Sequence, residues 1–553
     1  MMNYTKYRPY PPMDMPNRKW PNNVIKKAPI WCSVDLRDGN QALEIPMNLE
    51  EKIEFFKFLL KIGFKQIEIG FPAASDTEFE FTRYLIENDL IPDDVVIQVL
   101  TQSRPHIIKK TFEALRGAKN AIVHLYNSTS TLQREVVFHN SMEATIDLAV
   151  SGAKLLQEYA AEQPETNFIF EYSPESFTGT EMPFAVDICN AVLDIWKPTP
   201  DKKVIINLPS TVEMATANVY ADQIEYCCEN LKYRDSIYVS LHAHNDRGCA
   251  VAATELALMA GADRVEGTIF GNGERTGNTD IACVALNIFS QGMDPMLDFS
   301  RIDEVVEMFE KSTRMEVPPR HPYAGSLVYT AFSGSHQDAI RKGMEAMKSH
   351  PDRWEVPYLP IDPKDVGRSY DPIVRINSQS GKGGVAFVLE QNFGLYLPKA
   401  MQQNLSYVIT GISDRKHRDL TPEDIRGIFE AEYVNLTEPV QLVYYRQTTV
   451  DNVFRNSTDM KINGRDVTIN GEGTGVIDAF CHALETELGV KLEVVNYSEH
   501  SMEYGTKARA ISYIQILING EEYFGAGTSS DIAKSSYRGI VSALNKYYKD
   551  HRE

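Results

Sequence analysis

Residues 235–248 read DSIYVSLHAHNDRG. An apolar, largely β-branched run, Ile237 to Leu241, ends in His242-Ala243-His244, and Asn, Asp, Arg and Gly follow. Strand side chains alternate between faces, so the two histidines point to the same side. An alanine-rich helical run starts at Ala250. The stretch therefore predicts a strand, a polar end carrying a histidine pair, and a helix.

The same unit recurs through the first half of the chain. Other short apolar runs are APIWCSVD (28–35), FKQIEIG (64–70), VVIQVL (95–100), NAIVHLY (120–126), NFIFEYS (167–173), KVIINLP (203–209) and DRVEGTIFG (263–271). Between them lie stretches such as LEEKIEFFKFLLKIG (49–63), with apolar positions three and four apart. Strands alternating with helices predict a parallel sheet, and eight such units predict a closed (β/α)8 barrel. An open doubly wound sheet is the alternative. It would carry a Gly-rich fingerprint after the first strand, whereas that turn reads DLRDGNQAL (35–43).

Chemistry in such barrels sits at the C-terminal strand ends. Those ends hold Arg37 and Asp38, then Glu68, Gln102, His124 and Asn127, then Glu171, Ser173 and Glu175, then Asn207 and Thr211, then the histidine pair, and last GNGERTGN (271–278). His242 and His244 can grip one ion if they face the barrel mouth. Asp38 comes from strand one, which meets strand eight beside strand seven, and Asn278 after strand eight offers an amide oxygen. This nitrogen and oxygen set without thiolate suits Mg2+, Mn2+ or Zn2+ with positions open to substrate oxygens. Arg37 keeps its proton and can offset charge growing on a metal-bound oxygen.

Composition narrows the class. A chain of 553 residues exceeds one core, so two to four domains are expected. The net charge of −20 argues against nucleic acid and anionic membrane as partners. Seven scattered cysteines lack ligand-like spacing, and the first residues lack the apolar core of a signal peptide, so a cytoplasmic setting is expected. Prolines among residues 1–27 suggest an extended N-terminal arm on the surface.

Longer motifs carry a family resemblance. SVDLRDGNQAL, EIGFPAAS, HLYNSTS, EYSPESFTGTE, NLPSTVEMATANVYAD, LHAHNDRGCAVAA, VEGTIFGNGERTGN and RHPYAGSLVYTAFSGSHQDAI together resemble the 2-isopropylmalate synthase family, in its longer branch, over nearly the whole chain from about residue 20. That family belongs to the metal-dependent Claisen-condensing barrels, with homocitrate and citramalate synthases and hydroxymethylglutaryl-CoA lyase. The resemblance implies that acetyl-CoA and 3-methyl-2-oxobutanoate (2-ketoisovalerate) condense with water to give 2-isopropylmalate and CoA. It implies a divalent metal, with a monovalent cation such as K+ as a further cofactor. Glu175, His336 and Tyr358 match its groups for proton transfer and water activation, and the segment bearing His336 and Tyr358 reaches the barrel of the second copy in a homodimer. By the same match Leu100, His124, Tyr126, Ser173, Asn207, Pro209 and Thr211, with Arg37, form the substrate pocket. Glu171 stands where homocitrate synthases typically carry an Arg and is expected to exclude 2-oxoglutarate. Homocitrate or citramalate synthase activity, and a non-catalytic barrel acting as a regulatory subunit, are the competing readings.

The barrel is expected over 28–300 and a helical lid and linker over 301–434. SGKGG (380–384) reads only weakly as a phosphate loop, because the rest of that motif is missing. From 435 to 553 the texture is α+β and repeats itself: INGRDVTINGEGTGVIDAFCHALETEL (462–488) parallels INGEEYFGAGTSSDIAKSSYRGIVSALNKYY (518–548). This predicts a pseudo-twofold module. Gly473, Gly475, Gly525 and Gly527 are read as turns opening helices, whose N–H groups suit a carboxylate. Feedback by leucine through such a module is what the resemblance implies.

Overall fold

The computed structural model describes residues 6, 8–331, 333–350, 352–370, 382–416, 420–451, 453–502 and 508–551. The chain forms two compact units, Met1–Val328 with Ile361–Ser369, and Tyr329–Pro360 with Tyr370–Glu553.

In the first unit eight strands alternate with eight helices: β1 (Ile30–Ser33), α1 (Leu49–Ile62), β2 (Gln66–Gly70), α2 (Asp76–Glu87), β3 (Val96–Gln102), α3 (Pro105–Leu115), β4 (Asn120–Ser128), α4 (Met142–Ala161), β5 (Asn167–Glu175), α5 (Met182–Trp196), β6 (Val204–Ser210), α6 (Ala217–Asn230), β7 (Ile237–Ala243), α7 (Ala250–Met259), β8 (Arg264–Gly267) and α8 (Ile281–Ser290). Consecutive strands pair in parallel, and β8 closes on β1. The expected barrel is the observed one, in place of the open sheet.

Local chemistry explains the units. Asn48 and Glu51 form a capping box that starts α1, and Gly63 ends it in a left-handed conformation that other residues resist. Between them Phe55, Phe56, Leu59 and Ile62 are buried as the inner stripe of the helix. Burying each such side chain contributes about 1.5–3 kcal/mol. β8 is shorter than its sequence suggests. Phe270 and Gly271 both take positive φ, so the chain leaves the sheet at Gly267 and turns.

The N-terminal arm lies along α6. The Arg18 guanidinium pairs with Asp222 (Nε to Oδ1 2.6 Å), and the Trp20 ring nitrogen donates to the same carboxylate at 2.8 Å. After the barrel, α9 (Ile302–Thr313) is tied to α1 by the pairs Lys311–Glu54 and Arg314–Glu51. Arg368 reaches Asp303 at 2.6 Å and the Gly325 carbonyl at 2.7 Å. The stretch expected as one lid, 301–434, is therefore shared between the two units.

The second unit contains α10 (Gly334–Met347), α11 (Lys382–Phe393), α12 (Lys399–Lys416) and α13 (Pro422–Tyr433). Two three-stranded antiparallel sheets follow. One has β9 (Val440–Val450), β10 (Val453–Ile462) and β11 (Arg465–Gly473), followed by α14 (Val476–Leu488). The other has β12 (Leu492–Ser501), β13 (Ala510–Ile518) and β14 (Glu521–Ser529), followed by α15 (Ile532–Asp550). The predicted repeat is thus three strands and a helix, used twice. Met460, Ile469, Phe480 and Leu484 of the first copy share one core with Ile514, Ile516, Ile540 and Leu544 of the second. Ile425, Phe429 and Tyr433 of α13 form another core with Ile511, Tyr513 and Phe524, so the module's packing starts before residue 435. Ser380 and Gly381 of the SGKGG stretch lie outside the described residues.

The module corrects the reading of its glycines. Gly525 and Gly527 lie inside β14, and Gly473 is the last residue of β11, so none of the three opens a helix. A Cβ on Gly527 would meet the Ser535 carbonyl and the Gly539 nitrogen, and one on Gly473 would meet the Ala479 nitrogen. These glycines let α15 and α14 sit directly on their strands. Only Gly475 stands at a helix start, as the N-cap of α14, and there Asp478 already accepts the Thr474 N–H at 2.7 Å.

Among the described residues no helix is long and apolar enough to cross a membrane.

Candidate active site and metal centre

A tight turn after β1, Asp35–Gly39, carries Arg37 and Asp38 to the C-terminal mouth of the barrel. It has the wide hydrogen-bond spacing of a π-turn, a form that recurs at functional sites. Asp35 anchors it: Oδ1 accepts the Ile269 N–H at 3.0 Å, and Oδ2 accepts the Ser33 hydroxyl at 2.7 Å. The turn after β1 is thereby tied to the turn after β8.

Asp38 meets the two histidines there. Its Oδ2 lies 3.2 Å from His242 Nε2 and 3.7 Å from His244 Nε2, and all three side chains are buried. Their ligand atoms lie close enough together to hold one metal ion. Asn278 pairs with His244 through a backbone bridge. Its Nδ2 donates to the Asn272 carbonyl at 3.0 Å, while its buried Oδ1 has no hydrogen-bond partner among the described residues. Buried polar atoms are rarely left so. A carboxylate, two imidazoles and a free amide oxygen fit a hard or borderline divalent cation.

The charged groups here set one another's protonation. Burial alone would raise Asp38, but Arg37, His242 and His244 outweigh it and hold its carboxyl well below the usual range. Burial would lower His242, but hydrogen bonds to Asp38 and Glu266 raise it to about 9. His244 goes the other way, to about 4, through burial and the neighbouring His242 charge. Arg37 donates from Nε to Glu68 at 2.9 Å and from Nη1 to Asp38 at 3.0 Å.

Above this floor opens a pocket of about 1150 Å3. Leu100, Tyr126, Pro209 and Phe71 supply apolar wall, and Ser173, Glu175, Asn207 and Thr211 supply polar edge. His124 donates or accepts at Ser173 Oγ (2.7 Å) and lies 3.1 Å from Glu68. Tyr126 accepts from Gln102 at 2.8 Å, Glu175 accepts from Ser128, and Thr211 accepts the Ser176 N–H at 2.9 Å. The expected pocket residues in the barrel therefore converge. His336 and Tyr358 belong to the second unit, where both are exposed and their rings stack with centroids 4.1 Å apart.

Glu171 does not line the pocket, which corrects its expected role. It is fully buried one layer below, 3.5 Å from Arg264 and 3.6 Å from His124. Along β5 the inward positions are Glu171, Ser173 and Glu175, and only the last two reach the mouth. Burial pushes its carboxyl well above the usual range despite Arg264.

Four other charged residues carried no assignment from sequence alone. Glu274 and Arg275 line the pocket, and Arg275 pairs with Asp246 at 2.7 Å. Their signal was the motif GNGERTGN itself. Arg264 and Glu266 point into the barrel from β8, fully buried. Two charged residues at alternate positions of an otherwise apolar strand were the available sign.

A carboxylate and two histidines placed so that they could hold a metal ion, at the mouth of a closed parallel barrel, point to a class, and the chain matches one: residues 28–309 fit the HMGL-like family. Residues 326–390 match the alpha-isopropylmalate synthase post-catalytic domain-like family, and residues 419–548 the LeuA allosteric (dimerisation) domain. The 2-isopropylmalate synthase of Acetoanaerobium sticklandii is 62% identical over 550 residues, covering 99% of this chain and 97% of that one. Those of Clostridium acetobutylicum and Agrobacterium fabrum are 54% and 53% identical, each covering 99% of this chain and at least 98% of the relative. The chain belongs to the 2-isopropylmalate synthase family.

Proposed function

We propose that the chain condenses acetyl-CoA with 3-methyl-2-oxobutanoate and water, giving 2-isopropylmalate and free CoA. The observation that carries this reading is Arg37 beside Asp38, His242 and His244 on the floor of one pocket with a largely neutral wall. Asp38, His242, His244 and Asn278 would hold a divalent cation, Mg2+, Mn2+ or Zn2+. When bound, that ion polarises the ketone of a 2-oxo acid as a Lewis acid.

The chain's own groups do the rest. Arg37, fixed by Glu68 and Asp38, faces the point where the ketone oxygen gains charge and stabilises it there. A base takes a proton from the acetyl methyl, and the carbon left behind bonds to the ketone carbon. The oxygen then takes up a proton, and water cleaves the thioester to a carboxylate and CoA thiol. Glu175, His336 and Tyr358 are the proposed proton-transfer groups, with Glu175 already at the pocket edge. Leu100, Tyr126 and Pro209 suit the branched alkyl group. A second substrate carboxylate would need an uncommitted cation, and Arg275 is already paired with Asp246.

The further parts of the reading are a cytoplasmic homodimer, supported by seven unpaired cysteines and by the dimerisation family matched at 419–548, and inhibition by leucine through that module. A panel of 2-oxo acids with acetyl-CoA, read by thiol release, tests the activity. The highest kcat/KM is expected with 3-methyl-2-oxobutanoate. Preference for 2-oxoglutarate would make it a homocitrate synthase, and no thiol release with any acid would favour a non-catalytic role. Added leucine should slow the full chain; unchanged turnover up to the solubility of leucine overturns the regulatory part.

A further inference from the structure

Glu266 stands opposite His242 in the β7–β8 register and is buried in the barrel. Both of its oxygens are engaged. Oε1 accepts from Gln98 Nε2 at 2.8 Å and from Arg264 Nη1 at 2.8 Å. Oε2 lies 2.7 Å from His242 Nδ1 and accepts from Asn207 Nδ2 at 3.3 Å. Arg264 is fixed in turn by Gln66 at 2.7 Å, Ser240 at 2.8 Å and Gln98 at 2.6 Å. The carboxylate is thus held from below and aimed at one nitrogen of one imidazole.

The other nitrogen of that ring, Nε2, is the one that faces Asp38. A neutral imidazole can carry its proton on either nitrogen, and only the unprotonated one can bind a metal. An acceptor fixed at Nδ1 selects the tautomer with the proton there and leaves the Nε2 lone pair toward Asp38. Among the described residues His244 has no such support, since its Nδ1 is buried without a hydrogen-bond partner. The two histidines are therefore unequal.

We propose that Glu266 is a positioning residue, which locks the tautomer and ring plane of His242 and so sets the metal affinity of the site. Arg264, Gln98 and Asn207 hold Glu266 in place, so a charged layer inside the barrel supports the metal centre above it. This inference rests on the reading of Asp38, His242 and His244 as metal ligands.

Equilibrium binding of Zn2+ and Mn2+ to the full chain, measured by competition with a chromophoric chelator, tests it without recourse to activity. Glu266→Gln and Glu266→Asp should each weaken binding by about 10–100-fold, while the unfolding temperature moves little and turnover at saturating metal largely returns. Glu266→Asp keeps the charge opposite Arg264 but withdraws the oxygen from Nδ1, so it decides the matter if Glu266→Gln does not fold. Affinities within about twofold of the wild type in the variants that fold would overturn the proposal. His242→Ala separates the two levels. If it also binds metal normally, the metal-site reading itself fails; if it loses metal while the Glu266 variants do not, only the role of Glu266 fails.

Discussion

Oδ2 of Asp38 stands 3.2 Å from Nε2 of His242, although β1 and β7 are not neighbours in the barrel. The contact spans β8, a strand of only four residues, because the turn after β1 folds over its end. Asp38→Ala should therefore abolish metal retention and lower kcat/KM by more than about a hundredfold, beyond the cost of losing an outer partner. The far-ultraviolet circular dichroism should stay the same. Metal content after dialysis, with turnover on the same sample, checks this; full activity in a metal-free variant would contradict it.

Arg37 is placed for charge, so its removal should spare the metal. Its rigid planar fork spans Glu68 and Asp38 from two different nitrogens, a geometry a lysine ammonium lacks. Arg37→Lys should cut kcat by about 10²–10³ with metal stoichiometry unchanged. A fall in metal content matching the fall in rate would assign Arg37 to holding Asp38 instead.

Leu100 lines the pocket from β3 beside His124 of β4. Leu100→Ala should make room for one more methylene and favour 4-methyl-2-oxopentanoate over 3-methyl-2-oxobutanoate. The ratio of kcat/KM values should move by about tenfold, the low end of what one methylene is worth. An unmoved ratio would take Leu100 out of the specificity wall.

Asp35 gives a pH signature. Burial raises its carboxyl to about 7, against the hydrogen bonds from Ser33 and Ile269. Between about pH 4 and pH 7 the native chain thus holds a proton that the unfolded chain has released. Stability from this group is highest below that window and falls as pH rises through it, by on the order of 4 kcal/mol. Asp35→Asn should flatten the fall. Denaturant unfolding of both proteins at pH 5 and pH 8 measures it, and parallel curves would show that Asp35 does not titrate there.

The strand ends were legible because a barrel puts its polar residues where apolar runs stop. His242 and His244 close such a run, and Arg37 and Asp38 follow one. Depth inside the barrel was not legible. Glu171 and Ser173 look alike in an alternating pattern, yet one is sealed under the pocket and the other lines it. Arg264 and Glu266 drew no assignment from the sequence, because a buried ion cluster leaves no mark but its period of two. The glycines of the repeat were visible, but Gly-x-Gly-Thr fits an anion-binding turn and a helix lying close on a strand equally well; the contacts of Gly525 and Gly527 with α15 decide for the second. His336 and Tyr358 were found by resemblance alone, since an exposed histidine and tyrosine carry no pattern of their own.

The most direct test of the account is the reaction itself, run with and without metal. Purified chain, acetyl-CoA and 3-methyl-2-oxobutanoate are incubated before chelation, after exhaustive chelation, and after Mg2+, Mn2+ or Zn2+ is returned, and the products are identified by mass. 2-Isopropylmalate and CoA should form in equal amounts, be lost on chelation, and be restored by at least one of the three ions in the wild type but not in His242→Ala. Undiminished product from the chelated enzyme, or thiol release without 2-isopropylmalate, would contradict it.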